Sequence, residues 1–221
     1  MDLFDTPLKT ASQPRSPLAD RIRPRSLADV VGQDQILGEG KLLRILVEKK
    51  ENPSLILWGP SGVGKTTIGW LIGREMNLPF VSLSAVTIGM KEVKEVFHKA
   101  RLQRIILFVD EFHRFNKLQQ DSFLPHVENG TITLIGATTE NPSFEVINPL
   151  MSRCRVLILR QHEPKELEII LKRAEKMLGV EIDHAALDFL VTASNGDARI
   201  GLNVLEISAQ LSDSEKISMK N

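Results

Sequence analysis

The sequence predicts an α/β fold: a parallel sheet of five strands covered by helices on both faces, followed by a small all-helical unit. Three observations carry that prediction. Short apolar runs alternate with helical runs from residue 54 to about residue 160, the pattern of crossover units in a parallel sheet. Gly59-Pro60-Ser61-Gly62-Val63-Gly64-Lys65-Thr66 is a complete G-x-x-x-x-G-K-[ST] loop, set between the apolar run Leu55-Ile56-Leu57-Trp58 and a helical run that begins at Thr66. After Arg160 strand candidates cease, and three stretches of helical spacing follow.

In chain order, residues 1–17 are polar, contain Pro7, Pro14 and Pro17, and read as a flexible arm. Residues 41–49 have helical spacing. Residues 54–58 are a strand and 65–76 a helix; 80–83 a strand and 91–103 a helix, with Val93, Val96 and Phe97 on one face. Residues 104–110 are a strand and 116–128 a helix. Asn129-Gly130 turns the chain into a strand at 131–137, and 155–159 is the last. Helices are expected at 163–178, 183–194 and 197–211, with Pro164 suited to a first turn and Gly179 and Gly196 as punctuation. The expected division is an arm at 1–17, a core at 18–160 and a helical lid at 161–221.

Composition narrows the functional classes. The chain has 221 residues, 42% of them hydrophobic and 25% charged, as expected of an ordinary globular protein with room for a real core. Lys+Arg and Asp+Glu both number 28, so no overall charge draws it to nucleic acid or to an anionic membrane; any DNA contact must come from a local patch or from assembly. A single cysteine, Cys154, leaves no internal disulfide framework or cysteine-rich metal site and fits a reducing, cytoplasmic setting. Residues 1–20 lack the apolar segment of a secretory signal, and no apolar run approaches the roughly 20 residues that span a bilayer.

The loop states the chemistry. Its glycines allow a tight turn whose N–H groups face a polyphosphate, Lys65 brings a point charge to the β/γ-phosphates, and the Thr66 hydroxyl can hold Mg²⁺. The expected nucleotide contacts are Gly59, Pro60, Ser61, Gly62, Val63, Gly64, Lys65, Thr66 and Thr67. Ile105-Ile106-Leu107-Phe108-Val109-Asp110-Glu111 is a buried strand that ends in two carboxylates at the sheet edge where ligands collect. Asp110 can complete the Mg²⁺ shell with Thr66, and Glu111 can polarise an attacking water. In Leu134-Ile135-Gly136-Ala137-Thr138-Thr139, Thr139 is the chosen water- or γ-phosphate-sensing hydroxyl and Thr138 its rival. Arg153 cannot obviously reach its own chain's nucleotide; it is either a surface arginine or a finger for a neighbour's transition state. Asp197 is a plausible helix N-cap, with Arg199 in the first turn.

In its longer blocks the chain resembles the AAA+ ATPases, and within them the replication-associated recombination protein A family, relatives of the Werner-helicase-interacting ATPase. The resemblance is carried by Pro17-Leu18-Ala19-Asp20-Arg21-Ile22-Arg23-Pro24-Arg25, by Val30-Val31-Gly32-Gln33, and by Asp110-Glu111-Phe112-His113-Arg114-Phe115-Asn116-Lys117. Leu124-Pro125-His126-Val127-Glu128 and Ile135-Gly136-Ala137-Thr138-Thr139-Glu140-Asn141-Pro142-Ser143-Phe144-Glu145 extend it. It implies ATP bound between a five-stranded core and a helical lid, with Mg²⁺ on Thr66 and Asp110. Thr139 would be the first sensor, Arg199 the second, and Arg153 a finger acting in a neighbouring subunit. Val30 and Val31, with Arg23 and Pro24 nearby, would cradle the adenine.

The resemblance also implies a DNA-dependent ATPase acting at stalled or gapped forks, cytoplasmic and nucleoid-associated, homo-oligomeric, with single-stranded-DNA-binding protein as a partner. Other readings of the same motifs are a clamp-loader-like or branch-migration subunit, or a nucleotide-switched binding module with little hydrolysis. Where the family usually has Pro-Pro-Gly-Thr-Gly the loop reads Pro-Ser-Gly-Val-Gly, and Phe112 stands where Ile is usual. Family members continue for about as long again, with a C-terminal helical region associated with tetramer assembly. His113 and His126 lack partner ligands for a metal; coupling to DNA and structural packing both stay open for them.

Overall fold

A strand that is apolar at every position must bury both faces, and that requirement shapes the core. In the computed structural model, which describes residues 16–49, 53–212 and 216–218, five strands pair in parallel, the three inner ones buried along nearly their whole length. They are β1 (Ser54–Trp58), β2 (Phe80–Ser84), β3 (Ile105–Asp110), β4 (Ile132–Thr138) and β5 (Cys154–Ile158), in the order β2-β3-β4-β1-β5. Alternate residues of one strand serve opposite layers: Ile106 and Phe108 of β3 join one buried cluster with Leu55, Leu57, Ile68 and Ile72, whereas Ile105, Leu107 and Val109 join another with Val93, Phe97 and Phe123. All carboxyl ends of a parallel sheet share one edge, so the loops leaving β1, β3 and β4 converge there. Most of residues 1–17, the expected arm, lie outside the described residues.

The helices are α1 (Leu18–Arg21), α2 (Asp34–Leu37), α3 (Leu42–Glu48), α4 (Lys65–Glu75), α5 (Met90–Ala100), α6 (Lys117–Asp121), α7 (Leu124–Glu128), α8 (Pro142–Glu145), α9 (Asn148–Met151), α10 (Pro164–Leu178), α11 (His184–Ser194) and α12 (Ala198–Leu211). Helix α4 lies close against the sheet: a Cβ at Gly69 would stand 2.6 Å from the ring of Phe108. The helix expected at 116–128 is two. Asn116 caps α6 through a reciprocal bond with Gln119, and Pro125, which has no N–H to give, enters the first turn of α7. Phe123 between them is fully buried and meets Phe97 edge-on, with ring centroids 5.2 Å apart. Tertiary packing of that ring overrides the continuous helical pattern.

The expected all-helical lid is corrected. Residues from 164 onward form α10, α11 and α12, but Glu181–Ile182 also pairs in parallel with Lys216–Ile217, as β6 and β7. Both isoleucines are buried, and two-residue strands are too short for periodicity to reveal. The unit also takes in the N-terminal segment. Leu18 is buried among Leu171, Leu187 and Leu205, its N–H donates to Glu206 Oε2 at 2.9 Å, and Arg21 pairs with Glu206 at 2.8 Å. Among the described residues, no helix is long and apolar enough to cross a membrane.

Candidate nucleotide site

The loop after β1 adopts the backbone that its glycines anticipate. Gly62 and Gly64 sit at φ of +64° and +94°, and α4 starts directly at Lys65, leaving the first-turn N–H groups of the helix open to an anion. A Cβ at Gly64 would meet nothing within 4 Å, so there the left-handed backbone itself, not crowding, calls for glycine. Lys65 is buried, and its Nζ donates to the carbonyls of Gly59 at 2.7 Å and Pro60 at 2.6 Å. Burial lowers its affinity for a proton, while the carboxylates of Asp110 and Glu111 raise it.

The sheet edge brings the other expected groups to the same cleft of about 350 Å³. Lys65, Thr66, Thr67, Asp110, Glu111 and Arg199 all line it. Asp110 Oδ1 accepts the N–H of Glu111 at 3.1 Å, and Glu111 stands in left-handed backbone at φ +53°, which turns the chain sharply off the strand. A carboxylate and a hydroxyl at the mouth of a phosphate loop are hard oxygen donors of the kind Mg²⁺ takes. Among the described residues, no group of three or more His, Cys, Asp or Glu could hold a metal without such outside ligands.

The apolar end of the cleft is built from the N-terminal segment and the helical unit. Val30, Val31, Ile22 and Pro24 face Ile170 and Leu202, and Arg23 lines the same wall. Arg173 Nη1 donates to the carbonyl of Asp29 at 2.6 Å and fastens the turn before Val30 to α10. The structure therefore brings Arg23, Pro24, Val30 and Val31 to the lining of one cleft.

Four of the expected residues, Gly59, Pro60, Thr139 and Arg153, do not line this cleft. Thr138 is fully buried and bonded to His113 and to the main chain of Glu140, whereas Thr139 is the half-buried residue that follows. Arg153 is on the surface, paired with Glu128 at 2.6 Å and donating to the Pro149 carbonyl at 2.8 Å. His126 stacks on Phe97 with ring centroids 4.1 Å apart, and burial lowers its pKa.

Three residues gain roles from the structure that sequence reasoning did not give them. Gln33, at 0% exposure, clamps Arg160: its Nε2 donates to the Arg160 carbonyl at 2.8 Å and its Oε1 accepts the Arg160 N–H at 3.1 Å. Ser61, where a proline is usual, donates its hydroxyl to Asp197 Oδ2 at 2.6 Å; Asp197 Oδ1 meanwhile caps α12 through the N–H of Arg199 at 2.9 Å. The helical unit thus rests on the phosphate loop through one carboxylate. His162 lines the cleft, buried, with Nδ1 lacking a hydrogen-bond partner and standing 3.6 Å from Glu166, which is itself forked onto Arg160 at 2.6 and 2.9 Å. An apolar-to-polar switch right after the last strand was the only available signal for His162.

These buried charges set a pH dependence. Burial pushes the His162 imidazole below its usual 6.5, with Glu166 opposing the shift. Hydrogen bonds from Arg160 hold the Glu166 carboxyl below its usual 4.5. In both cases the unfolded chain takes up the proton first, so the stabilisation is complete above the unfolded values. It is lost as pH falls through the His162 range and then through that of Glu166. The urea midpoint is expected to drop between about pH 7.5 and pH 5.5, and to drop less in His162→Gln. Equal slopes in the two proteins would refute the assignment to His162.

The family model described as "ATPase family associated with various cellular activities (AAA)" matches residues 55–162, from within β1 to just short of α10. The chain belongs to the AAA family. It is 46% identical over 209 residues to replication-associated recombination protein A of Haemophilus influenzae, a match covering 89% of this chain and 47% of that protein. Identity to the protein of the same name from Coxiella burnetii is 49% over 203 residues, covering 87% and 46%. Identity to ATPase WRNIP1 of Dictyostelium discoideum is 41% over 212 residues, covering 91% and 24%. The chain spans about half the length of the replication-associated relatives it matches. Among solved structures, the RuvB Holliday junction branch migration motor of Thermotoga maritima superposes with a TM-score of 0.76 at 29% identity, covering 90% of this chain and 70% of that one.

Proposed function

We propose that this chain binds and hydrolyses ATP with Mg²⁺, as the ATPase of a replication-associated protein acting on gapped or forked DNA. The observation that carries the proposal is the convergence of Lys65, Thr66, Asp110, Glu111 and Arg199 on one cleft whose far end is apolar. Gly59 to Thr67 would hold the triphosphate, Val30 and Val31 the adenine, with Arg23 and Pro24 beside it. Thr66 and Asp110 would hold Mg²⁺, which when bound neutralises charge on the β- and γ-oxygens. Glu111 orients the attacking water, Thr139 senses the γ-phosphate, and Arg199 joins the helical unit to the nucleotide. Arg153, on the surface, would serve a neighbouring copy in a homo-oligomer. The similarity to proteins named for replication-associated recombination supports DNA as the partner; single-stranded-DNA-binding protein as a further partner and a cytoplasmic, nucleoid-associated location belong to the same proposal.

The test is steady-state ATP hydrolysis with and without gapped or forked DNA, beside Glu111→Gln. Turnover stimulated by DNA and lowered about a hundredfold or more in the variant is expected, with ATP binding retained. ATP binding without turnover in the unaltered chain would instead favour a nucleotide-switched binding module. The Asp197 contact supplies a second prediction. Asp197→Asn can keep the helix cap through its one amide oxygen and turns the Ser61 contact round, the amide N–H donating to the Ser61 hydroxyl oxygen, while removing a negative charge beside the phosphate loop. Nucleotide affinity is expected to rise about fivefold, equivalent to ~1 kcal/mol of relieved repulsion. An unchanged affinity in a fluorescent-nucleotide titration would count against the contact.

A further inference from the structure

His113 touches both carboxyl-edge elements next to the Asp110–Glu111 pair. Its side chain is 9% exposed, with Nε2 3.4 Å from Glu111 Oε2 and Nδ1 3.0 Å from Thr138 Oγ1. Thr138 cannot turn to water, being fully buried at the end of β4. Its hydroxyl oxygen accepts the N–H of Glu140 at 3.0 Å, and its single proton has two possible acceptors, the Glu140 carbonyl at 3.2 Å and His113 Nδ1. Donation to Nδ1, the nearer acceptor, leaves the ring proton of a neutral imidazole on Nε2, the nitrogen that stands 3.4 Å from Glu111 Oε2. Every donor then runs one way: Glu140 N–H to Thr138, Thr138 O–H to His113, His113 Nε2–H to Glu111.

We propose that His113 is a positioning residue for the water-activating carboxylate. A general base works only from a narrow range of geometry, and its orientation is set by a third group in many activated sites. Glu111 hangs from a left-handed backbone residue just past the strand and has no other side-chain partner among the described residues. Without His113 its carboxylate is free to rotate. With it, Oε2 is engaged and Oε1 is left to take a proton from water. The same chain pins the main chain on both sides of Thr139, so the two edge elements that meet the γ-phosphate are set by one imidazole. The proposal rests on the ATPase reading for its consequence, but the bonding pattern can be tested separately.

Asn and Gln divide the two functions of the ring. An asparagine amide reaches about as far as Nδ1 and can keep the Thr138 bond; a glutamine amide reaches about as far as Nε2 and can keep the donor to Glu111. His113→Ala and His113→Asn are expected to lower kcat about tenfold to a hundredfold with nucleotide affinity unchanged, and His113→Gln to recover most of it. Thr138→Val is expected to lower kcat in the same way, with little further loss in the double variant. Full activity in His113→Ala, additive losses in the double variant, or rescue by Asn but not Gln would each overturn the proposal. Nitrogen-15 NMR of the histidine ring gives a readout independent of turnover. The Nε2–H tautomer is expected at neutral pH, changing in Thr138→Val, and an Nδ1–H tautomer in the unaltered chain overturns the proposal even if ATP is hydrolysed. An unaltered chain that binds ATP without turnover while showing the Nε2–H tautomer would fail the ATPase reading and leave the bonding pattern supported.

Discussion

Replacing Gln33 by glycine is expected to destabilise the protein by about 3 kcal/mol and to weaken nucleotide binding with it. Gln33 has left-handed backbone, at φ +64°, so glycine relaxes the main chain and isolates the loss of the side chain. What is lost is a pair of bonds to both main-chain groups of Arg160, in a place where Gln33 itself has no solvent contact. Each buried group left unpaired costs roughly 1–3 kcal/mol. The same amide stands 3.5 Å from the Val63 carbonyl in the phosphate loop and accepts from Gln35 at 2.9 Å, so loop, β5 exit and N-terminal cradle are joined at one point. The measurement is a denaturant titration, where the midpoint should fall with the slope unchanged, together with a nucleotide titration. A stable variant with normal affinity would show that the packing of Val30 and Val31 alone holds the cradle.

Arg153→Ala is expected to abolish most ATP turnover while leaving ATP affinity and stability almost untouched. Its pairing with Glu128 is an exposed surface ion pair, worth at most about 1 kcal/mol, so the fold does not depend on it. Fingers that act on phosphoryl transfer contribute about 10³–10⁵ in rate, and Arg153 lies away from the cleft of its own chain. The loss should therefore appear only where copies associate. Mixing Arg153→Ala subunits with Glu111→Gln subunits should restore turnover, since one supplies an intact base and the other an intact finger. If the mixture stays inactive while each variant still assembles, or if dilution leaves the rate per subunit of the unaltered protein constant, Arg153 does not act between subunits.

The parts of the site that lie close together in sequence were legible without a structure. A loop of eight residues ending in Lys65 and Thr66 dictates its own backbone, and a strand as apolar as 105–109 announces that it is buried and that Asp110 and Glu111 fall at its edge. The five strands came out within about two residues of the expected limits: the inner strands β1, β3 and β4 are buried on both faces and write continuous apolar runs, and the edge strands β2 and β5 still carry shorter apolar stretches. The single helix expected at 116–128 did not, because the burial of Phe123 among other aromatic rings outweighed local spacing. The all-helical expectation for the C-terminal unit failed at β6 and β7, where only two residues of each strand pair.

What the sequence by itself determined is the phosphate loop, the carboxylate pair and the sheet that carries them, all set by short-range stereochemistry and by periodic burial. Tertiary structure alone decided which polar side chains meet across the chain. Gln33 finds Arg160 at a separation of 127 residues, Ser61 finds Asp197 at 136, and His113 finds Thr138 at 25. No local propensity encodes such pairs; they exist because closing the sheet and docking the helical unit strip water from these groups, and a buried polar atom must then find a partner in whatever the fold brings beside it.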